Sequence, residues 1–299
     1  MSYPVPMSAM LASLLVLLAG IVATRLKVKY GHLVRGAGWL AFGIYWLPWG
    51  PYFAAMPDFI NALATFGALP VMLFLAYHEF LCHKWREEYE PLRFAALATC
   101  VAGLGFYVVY EFQPVAQGLI FVVGANTVWA LNRIQPGYSL GEGAVNQDGE
   151  YSMPVLFNAP HVGNVDIVVA CTAIQAILVA AAFILTVNAS TKLRFKTFLI
   201  VAVPTYFLNL LRNVSVIYLV YNGITDFETA HAIIGKVAIS LVGFFTLMLV
   251  AFSMLPELYI SINGLFDMPW RKRPKHDYKA NIGRLVDRLF PPKTVQEKK

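Results

Sequence analysis

Charge is what this chain has least of. Only 13% of its 299 residues are Asp, Glu, Lys or Arg, while 58% are hydrophobic. A soluble domain normally carries about a quarter charged residues, and the apolar excess falls in long runs, so a water-soluble protein is excluded. Cysteine is also scarce. The three present, at 82, 100 and 171, are predicted at one membrane face, inside a helix and at the opposite face, which excludes a disulfide framework. No basic stretch precedes the first apolar run. Arg25, Lys27 and Lys29 follow it, so it reads as a retained span and not as a cleaved signal. No convincing internal repeat is present, which counts against a transporter built from inverted repeats.

The net charge of +6 sits in one place. Trp270 to Lys299 holds ten Lys or Arg and three Asp or Glu, and the remainder of the chain sums to −1. The basicity therefore belongs to a tail suited to anionic headgroups or to fixing topology, and no nucleic-acid surface is implied. Within the tail, Ile282, Leu285, Val286, Leu289 and Phe290 have the spacing of an amphipathic helix on the inner membrane surface.

Apolar runs place candidate spans at 7–25, 34–55, 59–80, 92–110, 165–187, 197–220 and 232–256, with a shorter segment at 115–131. Positive charge flanks one side of these spans. Arg25, Lys27, Lys29 and Arg35, then Lys84, Arg86 and Arg93, then Lys192, Arg194 and Lys196, and finally the tail, all read as cytoplasmic. The loops 55–59, 111–164 and 221–231 carry a single Lys or Arg, Arg133, and read as external. The scheme requires 115–131 to be re-entrant or interfacial. The alternative has eight spans and a locally violated charge rule. The Gly-, Asn-, Asp- and Pro-rich stretch 134–164 reads as an ordered outer loop with short strands, placed as a lid over the segment that follows. The expected fold class is thus an all-α polytopic membrane protein of about seven to eight transmembrane helices. It forms one domain over 1–299, with an extracytoplasmic loop at 134–164 before the catalytic helices and a basic cytoplasmic tail at 270–299.

Three chemically distinctive residues fall at one predicted depth near the outer face. Cys171 lies about one and a half turns inside its span, Arg212 about two turns inside the next, and His231 at the start of the last. An Arg within a span is costly unless it meets a polar cavity or partner. Thr205, Asn209 and Arg212 share one helical stripe, and Pro204 is positioned to kink that helix below them. The bland readings are a snorkelling Arg212, a Cys171 that only packs, and an interfacial His231. Cys100, among apolar neighbours, reads as packing. Cys171 differs in having Thr172 and Gln175 beside it and two cationic groups within reach, which together supply a thiolate nucleophile. Lys236, about a turn below His231, is the other candidate for the third polar role.

Some patterns are decoys. His78-Glu79-Phe80-Leu81-Cys82-His83 spaces its histidines at i+5, so they do not share a zinc-binding face. The acceptor-like triplets Asn188-Ala189-Ser190 and Asn213-Val214-Ser215 fall on the cytoplasmic side and inside a span.

The run Ala170-Cys171-Thr172-Ala173-Ile174-Gln175, then Leu211-Arg212-Asn213, then Ala230-His231, resembles the exosortase/archaeosortase family. The resemblance covers the last third to half of the chain, and the first four spans match only as hydrophobic helices. It implies a sortase-like membrane cysteine transpeptidase of an archaeal plasma membrane. Its substrates would be surface proteins ending in a Pro-Gly-Phe-type motif, an apolar helix and a basic end, and the new C-terminus would pass to a membrane lipid. Carried over by motif, Cys171 is the nucleophile, Arg212 the stabilising cation and His231 the acid/base. Thr172, Gln175, Asn209 and Lys236 are the expected substrate contacts, and no metal or cofactor is expected. Two other readings use the same residues: a cysteine protease without transfer, and a transporter in which Arg212 binds anions and Cys171→Ala is harmless.

Overall fold

A computed structural model describes residues 4–55, 59–145, 150–157 and 164–270. The basic tail and its amphipathic segment at 282–290 lie outside the described residues, as do parts of the outer loop. Six helices are long and apolar enough to cross a membrane, so the chain is a helical membrane protein. In order the elements are α1 (Met7–Arg25), α2 (Gly31–Trp46), α3 (Trp49–Ala55), α4 (Phe59–Trp85), α5 (Glu90–Glu111) and α6 (Gln113–Ile134). Strands β1 (Tyr138–Leu140), β2 (Ala144–Val145), β3 (Tyr151–Phe157) and β4 (Val165–Ile167) follow. Then come α7 (Ile174–Thr186), α8 (Thr191–Tyr221), a π-helical segment (Thr229–Leu241), α9 (Val242–Met254) and α10 (Pro256–Phe266).

The structure corrects three expectations. The run 34–55 is broken between α2 and α3 at Leu47-Pro48, where the proline withholds an N–H and disfavours helix before it. The segment 115–131 belongs to a continuous 22-residue helix, α6, so no re-entrant reversal forms. The expected span 165–187 is a helix only from Ile174, for 13 residues. Its first part is strand and turn, as suits the β-branched run Val165, Ile167, Val168, Val169, which periodicity alone cannot tell from buried helix.

The two ends of the bundle differ in chemistry. At one end α1, α2 and α4 are locked by a buried ionic cluster. Arg35, fully buried, donates from Nε to Glu79 Oε1 at 2.5 Å and from Nη2 to Glu88 at 2.8 Å, and Nη1 reaches Thr24 at 3.3 Å. His32 Nδ1 lies 2.9 Å from the other Glu79 oxygen. This cluster takes Glu79 out of the histidine-rich pattern: His78 packs between Phe74 and Tyr77, while His83 stacks on Tyr30. Phe94 of α5 shares a core with Val187 and with Leu193 of α8, so the starts of α5 and α8 lie together. Ser190, in one of the acceptor-like triplets, caps α8 by accepting from Leu193 N–H. Basic Arg25, Lys84, Arg93, Lys192 and Arg194 thus gather at this end.

The opposite end carries the sheet. β3 is its centre, antiparallel to β1 and β2 on one side and to β4 on the other. Tyr221, the last residue of α8, fastens it. Its hydroxyl donates to Val155 C=O and accepts from Val165 N–H at 2.9 Å, bridging β3 and β4. Its ring stacks with those of Tyr138 and Phe157. The 31 residues of α8 extend ~46 Å, against a bilayer core of ~30 Å, which lets its last turns stand clear of the lipid beneath the sheet.

Glu79→Ala leaves the Arg35 guanidinium buried without its main counter-charge, a loss of about 3–5 kcal/mol. A marked drop in the melting temperature of the detergent-solubilised protein is the expected outcome.

Candidate active site

Cys171 does not sit within a helix. It ends a 3₁₀ turn, Val169–Cys171, between β4 and α7. Two residues on, Ala173 takes φ 62° and ψ −3°, a left-handed conformation that costs a side-chain-bearing residue free energy. The chain therefore turns sharply from strand to helix at the thiol. Within the turn Cys171 N–H and Thr172 N–H donate to Val168 and Val169 C=O, but the Cys171 carbonyl is left for partners from elsewhere. α8 provides them: the Asn209 and Asn213 side-chain amides both donate to Cys171 C=O, at 2.7 and 2.9 Å. The Thr172 hydroxyl donates to Val169 C=O at 2.7 Å and closes the turn.

An open cleft of about 120 Å³ lies against this turn. Cys171, Arg212 and His231 all line it, so the three predicted residues share one cavity although they come from three elements. Arg212 is only 8% exposed. Its Nη2 lies 3.4 Å from His231 Nδ1, and its Nε is buried with no hydrogen-bond partner. A guanidinium only donates, so Nδ1 is the one atom of this pair able to accept. Phe227 stacks on the His231 ring at 5.3 Å and fixes its plane. The expected polar stripe of α8 faces inward, with Thr205, Asn209 and Arg212 all buried.

His231 rides on the π-helical segment. Wider turns let it approach α8 closely, and Gly235 is the contact point. A Cβ there would lie 3.0 Å from Val216 Cγ2 and 3.2 Å from Arg212 Cγ. The helix begins at Asp226, whose carboxylate accepts from Thr229 N–H at 2.8 Å. That bond holds the Asp226 carboxyl below its ordinary pKa.

The four expected substrate contacts fare differently. Asn209 and Thr172 hold the backbone around Cys171. Gln175 lies in the first turn of α7 with its amide 3.4 Å from the Tyr110 hydroxyl. Lys236 is half-buried and is not among the residues lining the cleft. Among the described residues, no group of three or more His, Cys, Asp or Glu is arranged to hold a metal.

Sequence reading missed Asn213 and Asp166. Asn213 was set aside as part of a chance glycosylation triplet, yet it is 5% exposed inside a spanning helix. The reasoning applied to Arg212, that an intramembrane polar group needs a reason, reaches it directly. Asp166, the one charged residue in the run 165–187, lines the cleft and accepts from the Ser152 hydroxyl at 3.0 Å.

No family model, curated protein or solved structure matches this chain.

Asn213→Leu removes one of two donors to the Cys171 carbonyl, a loss of about 0.5–1.5 kcal/mol because Asn209 still satisfies it. The Cys171 turn should loosen, and Cys171 should be alkylated by maleimide faster than in the wild type. The Asp226 cap has a definite pH sign. A carboxyl with a lowered folded-state pKa contributes stability that is complete above its ordinary value of 3.8 and disappears as pH falls through the lower one. Amide exchange at Thr229 should stay protected down to that pH and lose protection below it, and Asp226→Ala should lack the protection throughout.

Proposed function

We propose that this protein is a sortase-like membrane cysteine transpeptidase, which cuts a C-terminal sorting signal from surface proteins and passes the new C-terminus to a membrane lipid. The observation that carries the reading is the single cleft lined by a partly exposed thiol, an Arg with an unsatisfied buried N–H and a ring-stacked His.

In this mechanism the Cys171 thiolate attacks the scissile carbonyl carbon. Negative charge gathers on the carbonyl oxygen, and the Arg212 guanidinium stabilises it. As the C–N bond breaks, the His231 imidazolium, which holds the proton taken from the Cys171 thiol, gives that proton to the departing amine, leaving a neutral ring and a thioester on Cys171. The lipid headgroup nucleophile then attacks the thioester and gives its proton to His231, and the Cys171 sulfur leaves. Arg212 Nη2, 3.4 Å from Nδ1, holds the ring in place for both transfers. Lys236, outside the cleft, is the weaker candidate for that role.

The basic helix ends face the cytoplasm by the charge rule, so the cleft faces outside the plasma membrane. α6 starts beside the outer end of α5. It ends where Asn132 bonds Tyr138, stacked on the outer end of α8. Both ends thus adjoin the outer side, which supports an interfacial α6 and an N-outside chain despite that helix's length. A site at headgroup depth admits a lipid acceptor sideways from the bilayer.

The test is the intact mass of a surface protein with a Pro-Gly-Phe-type tail, coexpressed with wild type or Cys171→Ala. A shortened, lipid-bearing product made only by wild type is expected. A shortened product without lipid would indicate a protease, and equal processing by both would refute the role of Cys171.

A further inference from the structure

β4 forms one wall of the cleft: Val165, Asp166, Ile167 and Val168 all line it, and the chain continues directly to Cys171. Among the described residues β4 pairs with β3 only. The register reveals which way its backbone groups point. Asp166 lies opposite Pro154, and Pro154 C=O accepts from Gly141 N–H, on the side of β3 away from β4. In the next pair, Val155 C=O and Val165 N–H face one another across the Tyr221 hydroxyl. Antiparallel strands alternate between pairs that face inward and pairs that face outward. Asp166 N–H and C=O therefore point away from β3, to the free edge.

An exposed strand edge is a template for another strand. Here it ends at a candidate nucleophile, faces an apolar wall of Val216, Ile217 and Phe227, and shares its cleft with the unpartnered buried Nε of Arg212. We propose that the substrate polypeptide binds in extended form as an added strand on β4, exchanging backbone hydrogen bonds with Asp166, and that this pairing delivers its scissile carbonyl to Cys171. The assignment rests on the transpeptidase reading and supplies its mode of recognition: main-chain pairing gives affinity, and alternate side chains of the substrate enter the cleft. Proline at 154 is compatible with this register, since the N–H it lacks would point toward Gly141 and not toward β4.

The test uses the purified full-length enzyme in lipid vesicles and synthetic peptides with a Pro-Gly-Phe motif, an apolar helix and a basic end. Each peptide carries one backbone N-methyl group, scanned upstream from the scissile bond. Strand addition expects one sensitive position: methylating the substrate N–H that faces Asp166 C=O lowers cleavage about tenfold, the worth of one hydrogen bond, while the positions on either side, whose N–H groups point away from β4, cleave near the unmodified rate. Uniform sensitivity, or none, would overturn the proposal. Two variants report from the enzyme side. Asp166→Pro removes the edge N–H without touching the β3 ladder, and Asp166→Ala keeps it, so the former should process about tenfold more slowly than the latter. Equal rates also overturn strand addition. Should Cys171→Ala process the unmodified peptide as wild type does, the transpeptidase reading fails instead, and this one with it.

Discussion

A carbonyl oxygen in an apolar bundle must be hydrogen-bonded, and the one on Cys171 lies where no helix can satisfy it. Two asparagine amides from α8 meet that need. Much of the half that carries the sheet follows from this. Because α8 satisfies the turn, the chain can change there from strand to helix instead of continuing the apolar run as one span. Because it changes, the thiol is presented at the wall of a cleft and not buried along a helix side. Asn209, Arg212 and Asn213 occupy neighbouring positions on one face of α8, so the helix that holds the turn also places the guanidinium beside it.

The two halves of the molecule answer different demands. Around Arg35 and Glu79, ionic bonds are enclosed and internally satisfied, as a structural brace requires. Around Arg212 one N–H is left unpaired and the cavity is open. Both arginines sit in apolar helices, and sequence alone treats them alike. Partners distinguish them: Arg35 meets two carboxylates, whereas Arg212 meets one imidazole ring and keeps its buried Nε–H unpaired.

Much of the candidate site was legible because each of its members is expensive in a membrane. Arg212 and His231 stood out by cost, Cys171 by its neighbours, and hydropathy located most of the helices. The break at Cys171 was not legible, since Val165 to Val187 is apolar throughout apart from Asp166, Thr172, Gln175 and Thr186, and strand and helix bury such a run equally well. Nor was the π-helical segment, whose extra residue per turn leaves no mark in composition. The sheet was anticipated only as short strands. Its docking depends on Tyr221, which in sequence is one more aromatic residue at a helix end. Asp166 and Asn213 were visible but unread.

The left-handed Ala173 has a thermal consequence. The helical cores on either side hold many buried side chains, whereas the joint between β4 and α7 is kept in shape by a few hydrogen bonds, chiefly the two asparagine amides and the Thr172 hydroxyl, around one residue in a left-handed conformation. Strain of this kind persists only while its surroundings enforce it. On warming, the joint is expected to open at a lower temperature than the bundle, so that the turn and the helices come apart as two separate events.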